Sequence, residues 1–281
     1  MLGRAVTCAA FALLLAGAAQ AAAGTESILL RYGLANGQRW SAVQTIARET
    51  TLSGTTQSDE GVARFAYQVS ETEVSGRLRF DARMLSQSVD GEESPLDFSA
   101  IEYQAALDRR GTRVGVHFVL GEAEPPEVPG MERDPVAFRQ MLRQIAEAWL
   151  DSIYWLPELP EAALEIGDSF VIGDRNDVGG TDPGVRMEMA SKTTYTLGEV
   201  SGRRARFELE IRSTVDAATA QSAIESRRSG EGEALFDLDL GMWVRHEVRS
   251  EYRAVFSGAP GGAGDVSALT ITTIEMKLES D

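Results

Sequence analysis

Apolar and polar residues alternate with a period of two along most of the chain. In the clearest segment, Trp243 to Phe256, charged residues fill one register from Arg245 to Arg253, while most of the other register is apolar. The pattern recurs in segments 185–197, 204–215 and 232–240. Strands with one solvated face are typical of antiparallel sheets, because parallel sheets are buried on both faces. Several segments exceed ten residues, and long strands twist and curl. We predict a mainly β fold with long antiparallel strands in a curved sheet or half-barrel.

Turn residues divide the pattern into two halves that resemble each other. Asn36-Gly37 predicts a β-hairpin between residues 28–34 and 40–52. Similar motifs recur in the same order in both halves, at Gly37 and Gly167, at Gly76 and Gly202, and at Gly111 and Gly241. One interpretation is a duplicated β-meander. The alternative is that hairpins share turn residues for chemical reasons alone.

One long amphipathic helix is predicted between the halves, over residues 134–155. Asp134 suits the N-cap, and Pro135 suits the first helical position. Apolar residues follow at spacings of three and four: Phe138, Met141, Leu142, Ile145, Trp149, Leu150 and Ile153. We expect this face to pack on the apolar face of the sheet. The predicted organisation is a single β-rich domain, 22–281, with a first half at 22–120 and a second at 156–281.

Residues 1–21 have the features of a secretory signal peptide. Arg4 precedes the apolar stretch Ala5–Ala16, and Ala19-Gln20-Ala21 fits the cleavage rule, with a second site before Gly24. The sequence therefore predicts an exported protein, periplasmic or secreted, that is soluble after cleavage. The only cysteine, Cys8, lies within this segment. We expect a mature protein without disulfides.

Net charge and hydropathy limit the classes of partner that the protein can bind. The chain has a formal net charge of -16, which opposes binding to nucleic acid because both surfaces are negative. No later segment approaches the 18 apolar residues of a membrane span, so no transmembrane segment is expected after signal removal. A lipid or another apolar ligand remains a candidate partner, and a protein partner is unknown.

The sequence contains no recognisable catalytic site. His246 lies in the apolar register of its segment and His117 lies among solvated positions. Segment 174–179 begins like a calcium loop, but Val178 and Val185 replace required oxygen ligands, and we interpret it as a turn. The pair Asp237 and Asp239 is interpreted as part of a solvated strand face. We predict no catalytic residue, no metal and no cofactor.

The apolar face itself is the remaining candidate site. If the helix leaves the half-barrel hollow, the apolar face lines a cavity for an acyl chain or another apolar ligand. If the helix fills it, the same side chains are ordinary core. The candidate cavity residues are Tyr67, Phe80, Trp149, Tyr195, Phe207, Phe236, His246 and Tyr252.

Several of these motifs resemble a family of exported bacterial β-rich proteins described only as a domain of unknown function. The motifs are Leu30-Arg31-Tyr32 with Gly37 and Trp40, Leu156-Pro157 leading to Ile166-Gly167-Asp168-Ser169-Phe170, and Gly230-Glu231-Gly232 with Phe236-Asp237 and Gly241. The resemblance covers nearly the whole mature chain and implies no active site. More distantly, a curved sheet with one helix is similar to the LolA/LolB-type lipoprotein carriers, which implies lipid handling.

Three functional hypotheses follow. The first is a non-enzymatic exported protein that binds a hydrophobic ligand or a lipidated partner in the half-barrel. The second is an envelope interaction or structural module that acts through its charged outer face. The third is a hydrolase whose acidic residues and histidines meet only in the folded chain.

Overall fold

The computed structural model of the protein describes residues 27–52, 54–72, 74–94, 96–122, 135–149, 156–179, 186–218, 223–257 and 264–279. Within these ranges, no helix combines the length and apolar composition needed to cross a membrane. The predicted signal peptide, residues 1–21, lies outside them.

The regular structure of the described residues consists of twelve strands, one α-helix and one 3₁₀-helix. The strands are β1 (Arg39–Leu52), β2 (Thr55–Glu71), β3 (Leu78–Val89), β4 (Glu92–Glu93), β5 (Ile101–Leu107), β6 (Arg113–Leu120), β7 (Ser169–Gly179), β8 (Arg186–Ser201), β9 (Arg204–Ala218), β10 (Ala223–Asp237), β11 (Met242–Ser257) and β12 (Gly264–Leu278). Helix α1 covers Pro135–Trp149, and the 3₁₀-helix covers Phe98–Ala100.

All strands belong to one sheet in the order β6-β5-β3-β2-β1-β12-β11-β10-β9-β8-β7, with β4 beside β3. Every neighbouring pair is antiparallel, and β6 and β7 lie at the two ends of an open sheet. The prediction of a mainly β, curved antiparallel sheet is confirmed. The first strand, β1, pairs with the last, β12, and this ladder joins the two halves of the chain.

The buried core lies at one end of the sheet, which we call the base. In β1, Trp40 and Ala42 are buried, whereas the residues from Val43 to Leu52 are partly or fully exposed. In β2, burial is confined to the opposite end of the strand, from Ala63 to Val69. Because neighbouring strands run in opposite directions, their buried ends meet at the base. The other end, the distal end, is more exposed.

Residues 28–34 do not pair with β1, so the predicted hairpin with residues 40–52 is wrong. Both edges of β1 are occupied, by β2 and by β12. The segment instead covers the base, where Leu30 and Tyr32 are buried. The backbone N–H of Tyr32 donates to the carbonyl of Arg109 at 2.7 Å. Competition for the edges of β1 therefore overrides the local hairpin signal.

The turns that lead into β1 and β7 are built alike. The N–H of Gly37 donates to the carbonyl of Val69 at 2.9 Å, and the N–H of Gly167 donates to the carbonyl of Leu197 at 2.8 Å. Both glycines have a positive φ, 87° and 96°, which glycine adopts readily. The two halves therefore share turn geometry as well as turn residues, while a duplication of the meander stays a prediction.

Helix α1 lies within the predicted range 134–155. Its residues Phe138, Leu142 and Ala146 are buried and belong to the same apolar cluster as the base of the sheet. Their spacing of four places them on one face of the helix. The predicted packing of the helix on the apolar face is observed. Residues 134 and 150–155 and the side chain of Trp149 lie outside the described residues.

Segment 174–179 is part of β7, so the interpretation of these residues as a turn is wrong. The ladder with β8 continues from Asp174, opposite Ser191, to Gly179, opposite Arg186. Pairing with β8 satisfies the backbone hydrogen-bonding groups that a turn would leave for other partners. No group of three metal-ligating side chains occurs in the part of the chain that the structure describes.

The carboxylate of Asp237 is buried, which corrects its assignment to a solvated face. Asp237 is the last residue of β10, opposite Met242 and next to the turn that leads into β11. Oδ1 of Asp237 accepts hydrogen bonds from the N–H groups of Asp239 and Leu240, each at 3.1 Å. Asp237 thus stabilises the turn between β10 and β11.

Candidate functional site

Two of the predicted cavity residues lie in the first half of the chain, at the base. The rings of Tyr67 and Phe80 are stacked with their centroids 5.1 Å apart, and both side chains are buried. Val69, directly opposite Phe80 in the β2–β3 ladder, is fully buried beside them. These residues are packed as core.

Three further predicted residues surround Trp243, which was not itself predicted to line the cavity. The ring of Trp243 lies 5.2 Å from Phe207, 5.1 Å from Phe236 and 5.5 Å from Tyr195, measured between centroids. Trp243 belongs to the charged register of its segment, but the bulge in the ladder places it opposite Phe236. A bulge depends on the partner strand, so the sequence of β11 alone carries no signal for this burial.

His246 borders this cluster and is half-buried. Its Nε2 lies 3.4 Å from the hydroxyl of Tyr195. Burial lowers the pKa of His246 to about 4, so the imidazole is neutral at pH 7. Burial also raises the pKa of Tyr195 above its ordinary value. The pair is therefore uncharged at neutral pH.

The two histidines lie far apart in the sheet. His117 is exposed on β6, and its Nδ1 lies 2.6 Å from the carbonyl oxygen of Gly115. Strands β5, β3, β2, β1 and β12 separate β6 from β11, which carries His246. None of the clefts lined by described residues brings the two imidazoles together.

Tyr252, another predicted cavity residue, lies at the distal end in an open groove of about 610 Å³. We call it the distal groove. Three consecutive residues from each of four strands line it, with two from β1: Arg212, Ser213, Thr214, Arg227, Arg228, Ser229, Glu251, Tyr252, Arg253, Ser267, Ala268, Leu269, Glu49 and Thr51. Of the predicted cavity residues that the structure describes, Tyr252 alone contributes to this groove.

A second cleft, of about 680 Å³, lies between helix α1 and the β3–β4 hairpin. We call it the helix–sheet cleft. Its apolar lining comes from Val89, Leu96, Phe98 and Ile145. Phe98 is buried, Leu96 and Ile145 are half-buried, and Val89 is 47% exposed, so the lining is accessible to a ligand. Val89, Leu96 and Phe98 were not predicted from the sequence, because Val89 ends β3 and the segment between β4 and β5 shows no periodicity.

The rim of the helix–sheet cleft is acidic. Asp90, Glu92 and Glu93 line it, and within the described ranges none of them forms an ion pair. Asp90 has a positive φ of 52° and accepts a hydrogen bond at Oδ1 from the N–H of Glu60 at 2.8 Å. The tight turn therefore holds three carboxylates beside an apolar floor.

No family model and no curated protein matches the chain. Among solved structures, OpdQ of Pseudomonas aeruginosa is similar over 88% of this chain and 100% of its own, with 4% identity and a TM-score of 0.27. OccK2 (OpdF) of the same organism aligns over 86% and 98%, with 6% identity and a TM-score of 0.22. A mutant Rh. blastica porin aligns over 85% and 99%, with 8% identity and a TM-score of 0.20. Similarity at this level carries no argument about fold or function.

Proposed function

We propose that the protein is a non-enzymatic binding protein that holds the apolar part of a ligand, or of a lipidated partner, in the helix–sheet cleft. The observation that carries the proposal is the accessible apolar floor formed by Val89, Leu96, Phe98 and Ile145 in a cleft of about 680 Å³. Clefts of this volume with an apolar lining and a few polar groups are typical of small-molecule sites. The sequence predicts a cavity between helix and sheet, but none of the candidate residues that the structure describes there lines this cleft.

The acidic rim selects among apolar ligands. Asp90, Glu92 and Glu93 repel an anionic head group and attract a cationic one, and the net charge of -16 adds to this preference. The ligand is therefore an amphiphile with a neutral or positively charged polar end. A lipid-handling role agrees with the resemblance to the LolA/LolB-type carriers.

We infer that the protein acts outside the cytoplasm, as a periplasmic or secreted soluble protein. The support is Arg4, the apolar stretch Ala5–Ala16 and the Ala19-Gln20-Ala21 site. Intact-mass measurement of the exported protein tests the inference, because cleavage after Ala21 leaves Ala22 as the first residue. A protein that keeps Met1 after export contradicts it.

Binding of the neutral fluorescent probe N-phenyl-1-naphthylamine tests the cleft. We expect the purified protein to enhance the fluorescence of the probe in a saturable manner. The double variant Leu96→Ser/Ile145→Ser removes two apolar contacts and is expected to weaken binding at least tenfold. Val136→Ser is the matched control, since Val136 lies on the same helix, is 76% exposed and does not line the cleft.

Competition with charged amphiphiles tests the rim. Dodecyltrimethylammonium is expected to displace the probe at lower concentration than dodecyl sulfate, and replacing Glu92 and Glu93 with Gln is expected to reduce this difference.

Two outcomes of the probe experiment contradict the proposed function. One is that the probe does not bind, and the other is that Leu96→Ser/Ile145→Ser binds it as well as the Val136→Ser control does.

A further inference from the structure

A row of hydrogen-bond donors crosses the distal groove. Residues paired directly across antiparallel strands share one face of a sheet. The ladders align Thr214 with Arg227, Arg227 with Arg253, Arg253 with Ser267, and Ser267 with Thr51. We call these five residues, from five adjacent strands, the donor row. Each of their side chains can donate hydrogen bonds and none is a carboxylate.

The centre of the donor row holds two arginines directly opposite each other, Arg227 on β10 and Arg253 on β11. Like charges in this arrangement destabilise a sheet. Within the described residues, Arg227 forms no ion pair, and Arg253 approaches a carboxylate only at Asp265, 3.9 Å away, with both side chains mostly exposed. Glu225 and Glu251 lie on the same face, two positions along β10 and β11, but neither forms an ion pair with these arginines within the described residues.

Neighbouring residues of the groove carry charges of both signs. Arg212 lines the groove in the next cross-strand row, where it pairs with Glu210, and Glu49 and Glu251 are the carboxylates of the lining. Arg228 faces the other side of the sheet, where it is half-buried and its Nε donates to the hydroxyl of Ser250 at 3.0 Å. On the face that holds the donor row, the groove thus carries three arginines and two glutamates in a chain whose net charge is -16.

We propose that the donor row binds the phosphate groups of an anionic ligand. Phosphate oxygens accept several hydrogen bonds at once, and the planar guanidinium group matches their geometry. Directly opposed residues have Cα atoms only about 5 Å apart, so Arg227 and Arg253 can share one phosphate or hold adjacent ones. Hydroxyls on both sides of the pair extend the site along a groove that spans five strands. A bound phosphate also relieves the repulsion between the two arginines.

The phosphate groups belong to either a soluble phosphorylated compound or a lipid head group. The donor row can form the same hydrogen bonds and ionic contacts with phosphate groups from either source. It lies in a different groove from the helix–sheet cleft and shares no lining residue with it, so this inference is independent of the proposed function.

Isothermal titration with inorganic tripolyphosphate at low ionic strength is the first test. We expect saturable binding that weakens as salt is added, because the contacts are ionic. The variant Arg227→Gln/Arg253→Gln is expected to lose at least tenfold in affinity. The matched control, Arg206→Gln/Arg245→Gln, removes the same charge from β9 and β11 but outside the groove, where both arginines already have glutamate partners. It is expected to lose less than threefold.

Co-sedimentation with vesicles distinguishes the two sources of phosphate. Binding to phosphatidylglycerol vesicles but not to phosphatidylcholine vesicles, abolished in Arg227→Gln/Arg253→Gln, identifies a lipid head group. Tripolyphosphate binding without vesicle binding identifies a soluble ligand. Circular dichroism and thermal unfolding check that each variant is folded, and the single variant Arg253→Gln provides a milder change with an intermediate loss expected. Absence of binding in both assays, or equal losses in the groove and control variants, overturns the proposal.

Discussion

The indole N–H of Trp243 donates a hydrogen bond of 3.1 Å to the phenolic oxygen of Tyr32, 211 positions earlier in the chain. The hydroxyl of Tyr32 donates in turn to the carbonyl of Pro157 at 2.7 Å. All of these groups are buried at the base, and burial raises the pKa of Tyr32 well above its ordinary value. One hydroxyl therefore links the segment before β1, the segment after helix α1 and strand β11.

Replacing Tyr32 with Phe is expected to lower the free energy of unfolding by about 1–3 kcal/mol, because it leaves the N–H of Trp243 and the carbonyl of Pro157 without their partner. Urea unfolding monitored by tryptophan fluorescence measures the change. Tyr103→Phe is the control, since Tyr103 is equally buried but its hydroxyl makes no hydrogen bond within the described residues. A loss at Tyr32 no larger than the loss at Tyr103 contradicts the role of this link.

The backbones of Gly33 and Gly241 approach closely beside that link. The N–H of Gly33 donates to the carbonyl of Gly241 at 2.9 Å, and a Cβ atom on Gly33 would lie 2.3 Å from the carbonyl oxygen of Leu240. Gly33→Ala is therefore expected to destabilise the protein by about 2 kcal/mol or more. Gly61→Ala, whose added Cβ meets nothing closer than 3.8 Å, is expected to be neutral or slightly stabilising. Thermal unfolding of both variants provides the comparison, and similar melting temperatures would argue against a close approach.

The depressed pKa of His246 predicts a pH dependence of stability. As the pH falls below about 6.5, the unfolded chain takes up a proton at this residue, whereas the folded chain remains neutral there until about pH 4. The contribution of His246 is therefore complete above pH 6.5 and decreases between pH 6.5 and 4, by about 3 kcal/mol in total. Urea unfolding of the wild type and of His246→Leu across this range measures the difference.

The two proteins are expected to differ most in the slope of stability against pH, with the flatter curve for His246→Leu. His117→Gln is the control, because it removes the other histidine, which is exposed. A wild-type slope that matches the His246→Leu slope between pH 6.5 and 4 is incompatible with a half-buried imidazole that stays neutral in the folded chain.

Secondary structure in this protein is largely encoded by local patterns. Charged residues occupy every second position of β11, so one face of this strand is exposed whichever strand it pairs with. The spacing of Phe138, Leu142 and Ile145 likewise defines one face of a helix. These periods depend only on the geometry of the chain itself. The sequence by itself therefore determined the fold class, the helix and the interior register of His246.

Strand partners, registers and bulges were decided only by the tertiary structure. The segment before β1 has a strong hairpin signal, yet β2 and β12 occupy both edges of β1. Trp243 is buried because the β10–β11 ladder shifts by one residue, and Arg227 faces Arg253 because of the same ladder. Each of these pairings depends on which strands, distant in sequence, compete for the same edge of a strand. The filled base, the helix–sheet cleft and the donor row follow from that competition, which no local pattern encodes.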